Sequence, residues 1–282
     1  MSPQLAETWF RQRRVDFSRP DEFRGCLDDL SCERLDAILV ENVYGADYMT
    51  AIAARLQRHD PPFFIFPPNA AHVVPRFRHL FGITLVAAGA NMAEYFRVAA
   101  EFREHSRQLF QNEIGFEERM CELFSRASNG CSATVPRNAD GQIYMPATIR
   151  ILPNGSGIDL HCDNNLGHYP TYNHLRTICE VDRQLSYFLT INAPDAGGQL
   201  VFYKRHWCGE DDQPGKYEMS KNNHMVEECP SIAVNTRPGS VIIHAGGRIY
   251  HRVSETVGHH PRYTMGGFLA KSLQGDTLHY WS

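Results

Sequence analysis

Residues 147–163 read ATIRILPNGSGIDLHCD, and the fold turns on how that stretch is taken. Ala147–Leu152 is a short run rich in β-branched residues, Pro153-Asn154-Gly155 is a turn, and His161-Cys162-Asp163 follows. In an extended chain successive side chains alternate, so His161 and Asp163 face one way and Cys162 the other. The same texture continues downstream. Leu185–Ile191, Gln199–Tyr203, Ser240–His244 and Tyr263–Leu269 are further short runs, punctuated by Gly, Pro and Asn. Many short strands joined by such turns predict a sandwich or barrel. The expected class is α+β with a mainly β core: a double-stranded β-helix (jelly roll, cupin-like) buttressed by N-terminal helices.

Upstream the period changes from two to about 3.6. Ala46–His59 carries Met49, Ile52, Ala53 and Leu56 on one side, and Asp60-Pro61-Pro62 stops it. Ala93–Phe110 repeats the pattern through Phe96, Val98, Ala99, Phe102 and Leu109, and Phe116–Ala127 through Met120, Leu123 and Phe124. Ile38-Leu39-Val40 is a strand candidate among these helices. Residues 1–133 are therefore expected to form a helical layer and 134–282 the jelly-roll core, together one folding unit. No internal repeat or low-complexity segment interrupts them.

At 282 residues and 43% hydrophobic content the chain can bury one sizeable core. The net charge of -4, from 28 basic and 32 acidic residues without a long one-sign run, argues against nucleic acid or an anionic membrane as partner. Arg11-Gln12-Arg13-Arg14 reads as a solvated helix face. The N-terminus shows no signal-peptide pattern, and no apolar run is long enough to span a membrane. The eight cysteines (26, 32, 121, 131, 162, 179, 208 and 229) include no C-x-x-C pair. They are expected to be reduced, mostly as small buried hydrophobes, in a cytoplasmic protein.

An H-x-D alone arises easily by chance in a chain with 14 histidines. What lies downstream gives it weight. His251 follows the run Ser240–His244 and Gly246-Gly247, and a second strand there would bring its imidazole across to His161 and Asp163. Two imidazoles and one carboxylate on one face of an octahedral ion leave three positions open, the arrangement expected of oxygen-activating iron(II). Arg262 stands 11 positions after His251, at the start of a predicted strand. Its planar fork suits a carboxylate held at two points. 2-Oxoglutarate would chelate iron by its keto-acid end and offer its distal carboxylate to Arg262, with the hydroxyl of Thr264 alongside. O2 would then be the second co-substrate. Arg150, inside an apolar strand, wants a buried anion, either a protein carboxylate or a ligand. His168, His174, His206, His224, His259 and His260 read as surface or structural residues. His244 is the rival to check as a ligand. Pro194–Leu200 (PDAGGQL) reads as a hairpin turn or as a shaper of the pocket mouth. The 167–176 loop is a candidate lid whose Tyr169 and Tyr172 pack on substrate or on the jelly roll.

Several stretches together carry a resemblance: Tyr144–Leu152 (YMPATIRIL), Asn173–Phe188, Pro194–Tyr203, Gly246–Val253 (GGRIYHRV), Pro261–Ala270 (PRYTMGGFLA) and the terminal Tyr280-Trp281-Ser282. The chain resembles the iron/2-oxoglutarate enzymes typified by the carrier-protein-independent halogenases of indole-alkaloid biosynthesis (the welwitindolinone/ambiguine type). The likeness covers nearly the whole chain and is strongest from Tyr144 onward. In those halogenases a glycine stands where this chain has Asp163, and chloride takes the vacated position. The resemblance therefore implies the oxygenase branch, with iron on His161, Asp163 and His251 and 2-oxoglutarate on Arg262 and Thr264. It implies hydrogen abstraction from an unactivated C–H bond of a small free metabolite, an amino acid or a natural-product intermediate, without a carrier protein. Hydroxylation is the expected outcome, with desaturation, ring closure or cyclopropane formation as variants of the same step. Two readings compete: a zinc hydrolase using the same triad to activate water, and a metal-free binding module. Arg262 speaks against the hydrolase, which has no general need of a carboxylate anchor.

Overall fold

The computed structural model describes residues 9–66, 79–111, 113–212 and 224–282. Strands come from both halves of the chain. The first half supplies β1 (Gln12–Asp16), α1 (Cys26–Ser31), β2 (Ala37–Glu41), α2 (Ala46–Gln57), β3 (Ile65–Phe66), β4 (His79–Phe81), α3 (Leu85–Ala88), α4 (Met92–Leu109), α5 (Phe116–Ala127) and β5 (Ser132–Thr134). The second half supplies β6 (Thr148–Leu152), β7 (Ile158–His161), α6 (Asn173–Ile178), β8 (Leu185–Asn192), β9 (Ala196–Gly197), β10 (Leu200–His206), β11 (Ser231–Val234), β12 (Val241–His244), β13 (Ile249–Val253), β14 (Thr256–Val257), β15 (Arg262–Lys271) and β16 (Thr277–Trp281).

The long helices form where apolar side chains recur at helical spacing. α2 buries Met49, Ile52 and Leu56. α4 buries a face that includes Tyr95, Val98, Ala99 and Phe102, and Asn91 caps its start by accepting from the Glu94 amide at 3.2 Å. α5 buries Met120, Leu123 and Phe124, and Phe124 meets Tyr187 and Tyr280 edge-on at 5.0 and 5.4 Å. These contacts seat the helix against residues of β8 and β16.

The larger sheet runs β1-β2-β12-β8-β15-β6-β4-β3, with β16 along the second half of β15 and β5 beyond it. A second, antiparallel sheet runs β11-β10-β13-β7. From β6 onward the chain passes back and forth between the two. β6, β8, β12 and β15 lie in the first, and β7, β10, β11 and β13 in the second. That is the double-stranded β-helix expected from the alternating runs.

The first 133 residues are not a purely helical layer. β1 and β2 extend the larger sheet past β12, and β4 and β3 extend it past β6. Arg11-Gln12-Arg13-Arg14 also departs from expectation. It leads into the edge strand β1, parallel to β2, with Gln12, Arg13 and Arg14 exposed. Charged side chains on an edge discourage further strand pairing. All eight cysteines are free, but only Cys26, Cys162 and Cys179 are fully buried. Among the described residues no helix is long and apolar enough to cross a membrane.

Candidate metal centre

His161 ends β7, and His251 stands directly opposite it in β13. Asp163 is past the strand, at the first position of the 3-10 helix Asp163–His168. The motif thus bends at Cys162 instead of continuing as a strand. Three contacts fix the bend. The Asp163 amide donates to Gly246 O at 2.9 Å, Gln184 Nε2 donates to Asp163 O at 2.7 Å, and the Ser186 hydroxyl donates to the carboxylate. The two imidazoles approach to 4.2 Å between ring centres. His161 Nε2 lies 3.8 Å from Asp163 Oδ1, and His251 Nε2 lies 3.6 Å from Oδ2. One donor atom from each residue falls within 4.8 Å of the other two.

Both rings are oriented from behind. His161 Nδ1 meets Asp159 O at 2.7 Å and His251 Nδ1 meets Ile249 O at 2.9 Å. A carbonyl can only accept, so each Nδ1 carries the proton and each Nε2 turns a lone pair toward the shared centre. Burial, reinforced by the neighbouring His251, holds His161 well below its ordinary pKa. Burial alone would raise the Asp163 carboxyl, but His251, His161 and the Ser186 hydroxyl overcome it and hold it below the ordinary range. Neutral imidazole nitrogens and an ionised carboxylate are the donor set that suits iron(II) with open positions remaining. Room for the carboxylate depends on Gly246. A Cβ there would stand 2.1 Å from Ser186 Oγ and 2.5 Å from Asp163 Oδ2.

Arg262 opens β15 opposite Leu152, and Thr264 lies opposite Arg150. All three arginine and threonine side chains line the cavity that holds the triad. Arg262 is 3% exposed, its guanidinium sits 4.9 Å over the Phe188 ring, and it donates to Thr264 Oγ1 at 3.4 Å. No carboxylate pairs with it among the described residues. Burial, with the charge of Arg150 adding, presses its pKa down to about 9. A buried guanidinium in that condition is a receptor for an anion. The Gly197-Gly198 turn serves this wall, since both glycines have positive φ and a Cβ on Gly198 would come within 3.1 Å of Arg262 Cδ.

Every site residue expected from the sequence therefore meets in one cavity. His244 lines it too, but outside the ligand cluster. His168, His206, His224, His259 and His260 are exposed, and His174 stacks on Tyr144. The stretch after His168 is helical, with Tyr169 exposed and Tyr172 buried against Trp281. Ser186 and Gln184 were not legible in advance. Their contacts with Asp163 span 23 and 21 positions and arise only once the chain has folded.

A family model described as carrier-protein-independent halogenase WelO5 matches residues 14–282. No curated protein matches the sequence. Among solved structures, the chain is similar to an N-substituted L-amino acid dioxygenase from Burkholderia ambifaria AMMD. The TM-score is 0.60 at 20% identity, over 91% of this chain and 90% of that one. The same dioxygenase in complex with alpha-KG gives 0.57 at the same identity and coverage. At that identity the likeness speaks for the fold.

Proposed function

This chain belongs to the family of the carrier-protein-independent halogenase WelO5, and we propose that within it the chain works as a hydroxylase of a small free metabolite. It is an iron(II)- and 2-oxoglutarate-dependent oxygenase that acts on a small molecule without a carrier protein. The observation that carries the hydroxylase reading is the Asp163 carboxylate, fixed by Ser186 and facing both imidazoles. It fills with protein the position that a halide would need.

His161 and His251 would hold the metal through Nε2, and Asp163 through its carboxylate. Bound iron(II) with 2-oxoglutarate and O2 supplies the oxidising power to remove hydrogen from an unactivated C–H bond, with succinate and CO2 as co-products. Arg262 would grip the distal carboxylate of 2-oxoglutarate, Thr264 would add a hydroxyl, and Arg150 would add a second positive charge to the same wall. Phe188 keeps the Arg262 fork in place from one face. Fixing one end of the co-substrate at the arginine and the other at the metal is a positioning effect. Amino-acid derivatives are the first compounds to screen, given the fold shared with an N-substituted L-amino acid dioxygenase. A cytoplasmic setting belongs to the same reading, since eight free thiols are the state that a reducing compartment maintains.

The test is anaerobic reconstitution with iron(II), followed by O2, 2-oxoglutarate, chloride and a substrate panel. Succinate and a product gaining one oxygen atom are expected from the wild type, and Asp163→Gly should lose that product. A chlorinated product from the wild type, or undiminished hydroxylation by Asp163→Gly, would overturn the assignment. Zinc-supported hydrolysis without 2-oxoglutarate turnover would overturn the whole class.

A further inference from the structure

His244 differs from the two ligand histidines in one respect. His161 and His251 each commit Nδ1 to a backbone carbonyl, whereas Nδ1 of His244 is buried without a hydrogen-bond partner among the described residues. The residue is 2% exposed, ends β12 and stands directly opposite Ser186 of β8. Its ring lies 4.9 Å from that of His251, nearly perpendicular at 76°, and 5.2 Å from Phe202. It lines the triad's cavity without joining the ligand cluster.

The ring proton sits on Nδ1 or on Nε2, and on Nδ1 it leaves a buried donor unpaired among the described residues, which costs free energy. Aromatic packing alone would be met by a phenylalanine, as Phe202 beside it shows. The donor therefore points to an oxygen that arrives with a ligand. Register says which end of the ligand. Along β8, Ser186 marks the metal end of the cavity, while Thr190 and Asn192, opposite Thr264 and Tyr263, mark the end where β15 begins with Arg262. His244 is level with Ser186. The distal carboxylate of 2-oxoglutarate would lie toward Arg262, which would leave the keto-acid end for His244. The other donors near the metal are already engaged, since the histidine Nδ1 protons go to carbonyls and the Ser186 hydroxyl to Asp163.

We propose that His244 is a positioning residue whose ring N–H donates to the keto-acid carboxylate of 2-oxoglutarate. The assignment rests on the iron and 2-oxoglutarate reading above. Manganese(II) in place of iron(II) keeps turnover out of the measurement. Calorimetry then compares 2-oxoglutarate with pyruvate, which has the keto-acid end but no distal carboxylate, on the wild type, His244→Phe and His244→Asn. His244→Phe should weaken both ligands by the same factor, about tenfold or more, with manganese affinity and melting temperature retained. His244→Asn keeps an N–H near the place of Nδ1 and should recover most of the loss. Arg262→Ala should weaken 2-oxoglutarate alone. Wild-type affinity for both ligands in His244→Phe overturns the proposal. So does a loss confined to 2-oxoglutarate, or a loss of manganese itself, which would make His244 a ligand. A wild type that binds manganese but neither ligand overturns the parent reading and the proposal with it.

Discussion

Gly246 has no room for one more carbon. In Gly246→Ala the new methyl would fall on Ser186 Oγ and Asp163 Oδ2, so the carboxylate must swing away from the metal position. Disturbing the groups that orient a metal ligand commonly costs about 10–100-fold in metal affinity. That loss is expected here, with overpacking removing about 1–3 kcal/mol of stability. Metal titration followed by a thermal melt checks both, and unchanged metal affinity would contradict the placement of Asp163. Arg262 gives the opposite pattern. It is buried without a carboxylate partner among the described residues, so Arg262→Met should leave the metal-free protein melting no lower than the wild type. The same change should weaken 2-oxoglutarate binding by roughly tenfold to a hundredfold. A drop in melting temperature without loss of co-substrate would show that the arginine is structural. The triad and Arg262 could be named from the sequence because their chemistry is in the side-chain type, although Asp163 lies past β7 in a 3-10 helix and not at the strand spacing that singled it out. Ser186 and Gln184 were not, because serine and glutamine are common and their partner is reached only through the fold. His244 was visible as a histidine near the glycines. Its difference from the ligands lies in an unpaired nitrogen, which no sequence displays.

Between residue and fold, Asp36 ties elements together. Its carboxylate receives Arg11 at 3.0 Å and Arg248 at 2.8 Å, and its carbonyl receives the Ala245 amide at 3.0 Å. It thus joins the lead into β1, the start of β2 and the β12–β13 turn that carries Gly246. Burial works to raise the Asp36 pKa, but the bonds from Arg11 and Arg248 prevail and hold it below the ordinary carboxylate value. A folded value below the unfolded one means the stabilisation is present in full above the ordinary value of about 4. It is lost as the pH falls through the folded value. Asp36→Asn should therefore cost about 1.5–3 kcal/mol at neutral pH, and the gap to the wild type should close in acid. Denaturant melts across pH would show this, and a gap independent of pH would exclude the ion pairs as its source. The elements themselves were unevenly legible. α4 and α5 declare themselves through long apolar periodicity. β13 was expected only because His251 required a strand there, since Gly246-Gly247, Arg248 and Arg252 interrupt its apolar pattern. β1 was misread because Gln-Arg-Arg has no apolar face, and only pairing with β2 gives it a conformation.

For the molecule as a whole, we infer that residues 134–282 do not fold without the segment before them. β2 lies against β12 from Val40 opposite Val241 to Ala37 opposite His244, so it backs the strand that ends at the metal cavity. β4 pairs with β6, the strand that carries Arg150. Tyr95 of α4 donates to Ser282 O at 2.8 Å and accepts from the Met145 amide at 3.0 Å. One apolar cluster reaches from Phe10 to Trp281. Ile38, Leu39 and Val40 are each almost wholly buried, and burial of such side chains contributes about 1.5–3 kcal/mol apiece. Those three alone approach the roughly 5–15 kcal/mol that separates a folded protein from its unfolded chain. A 134–282 fragment contains all three triad residues and Arg262, yet it should show no cooperative melt and no saturable binding of manganese(II) with 2-oxoglutarate. Circular dichroism and calorimetry on the fragment and the full chain are the check. Cooperative unfolding with intact ligand binding would mean that the jelly roll organises its metal site unaided, and that β2 and β4 only decorate the sheet.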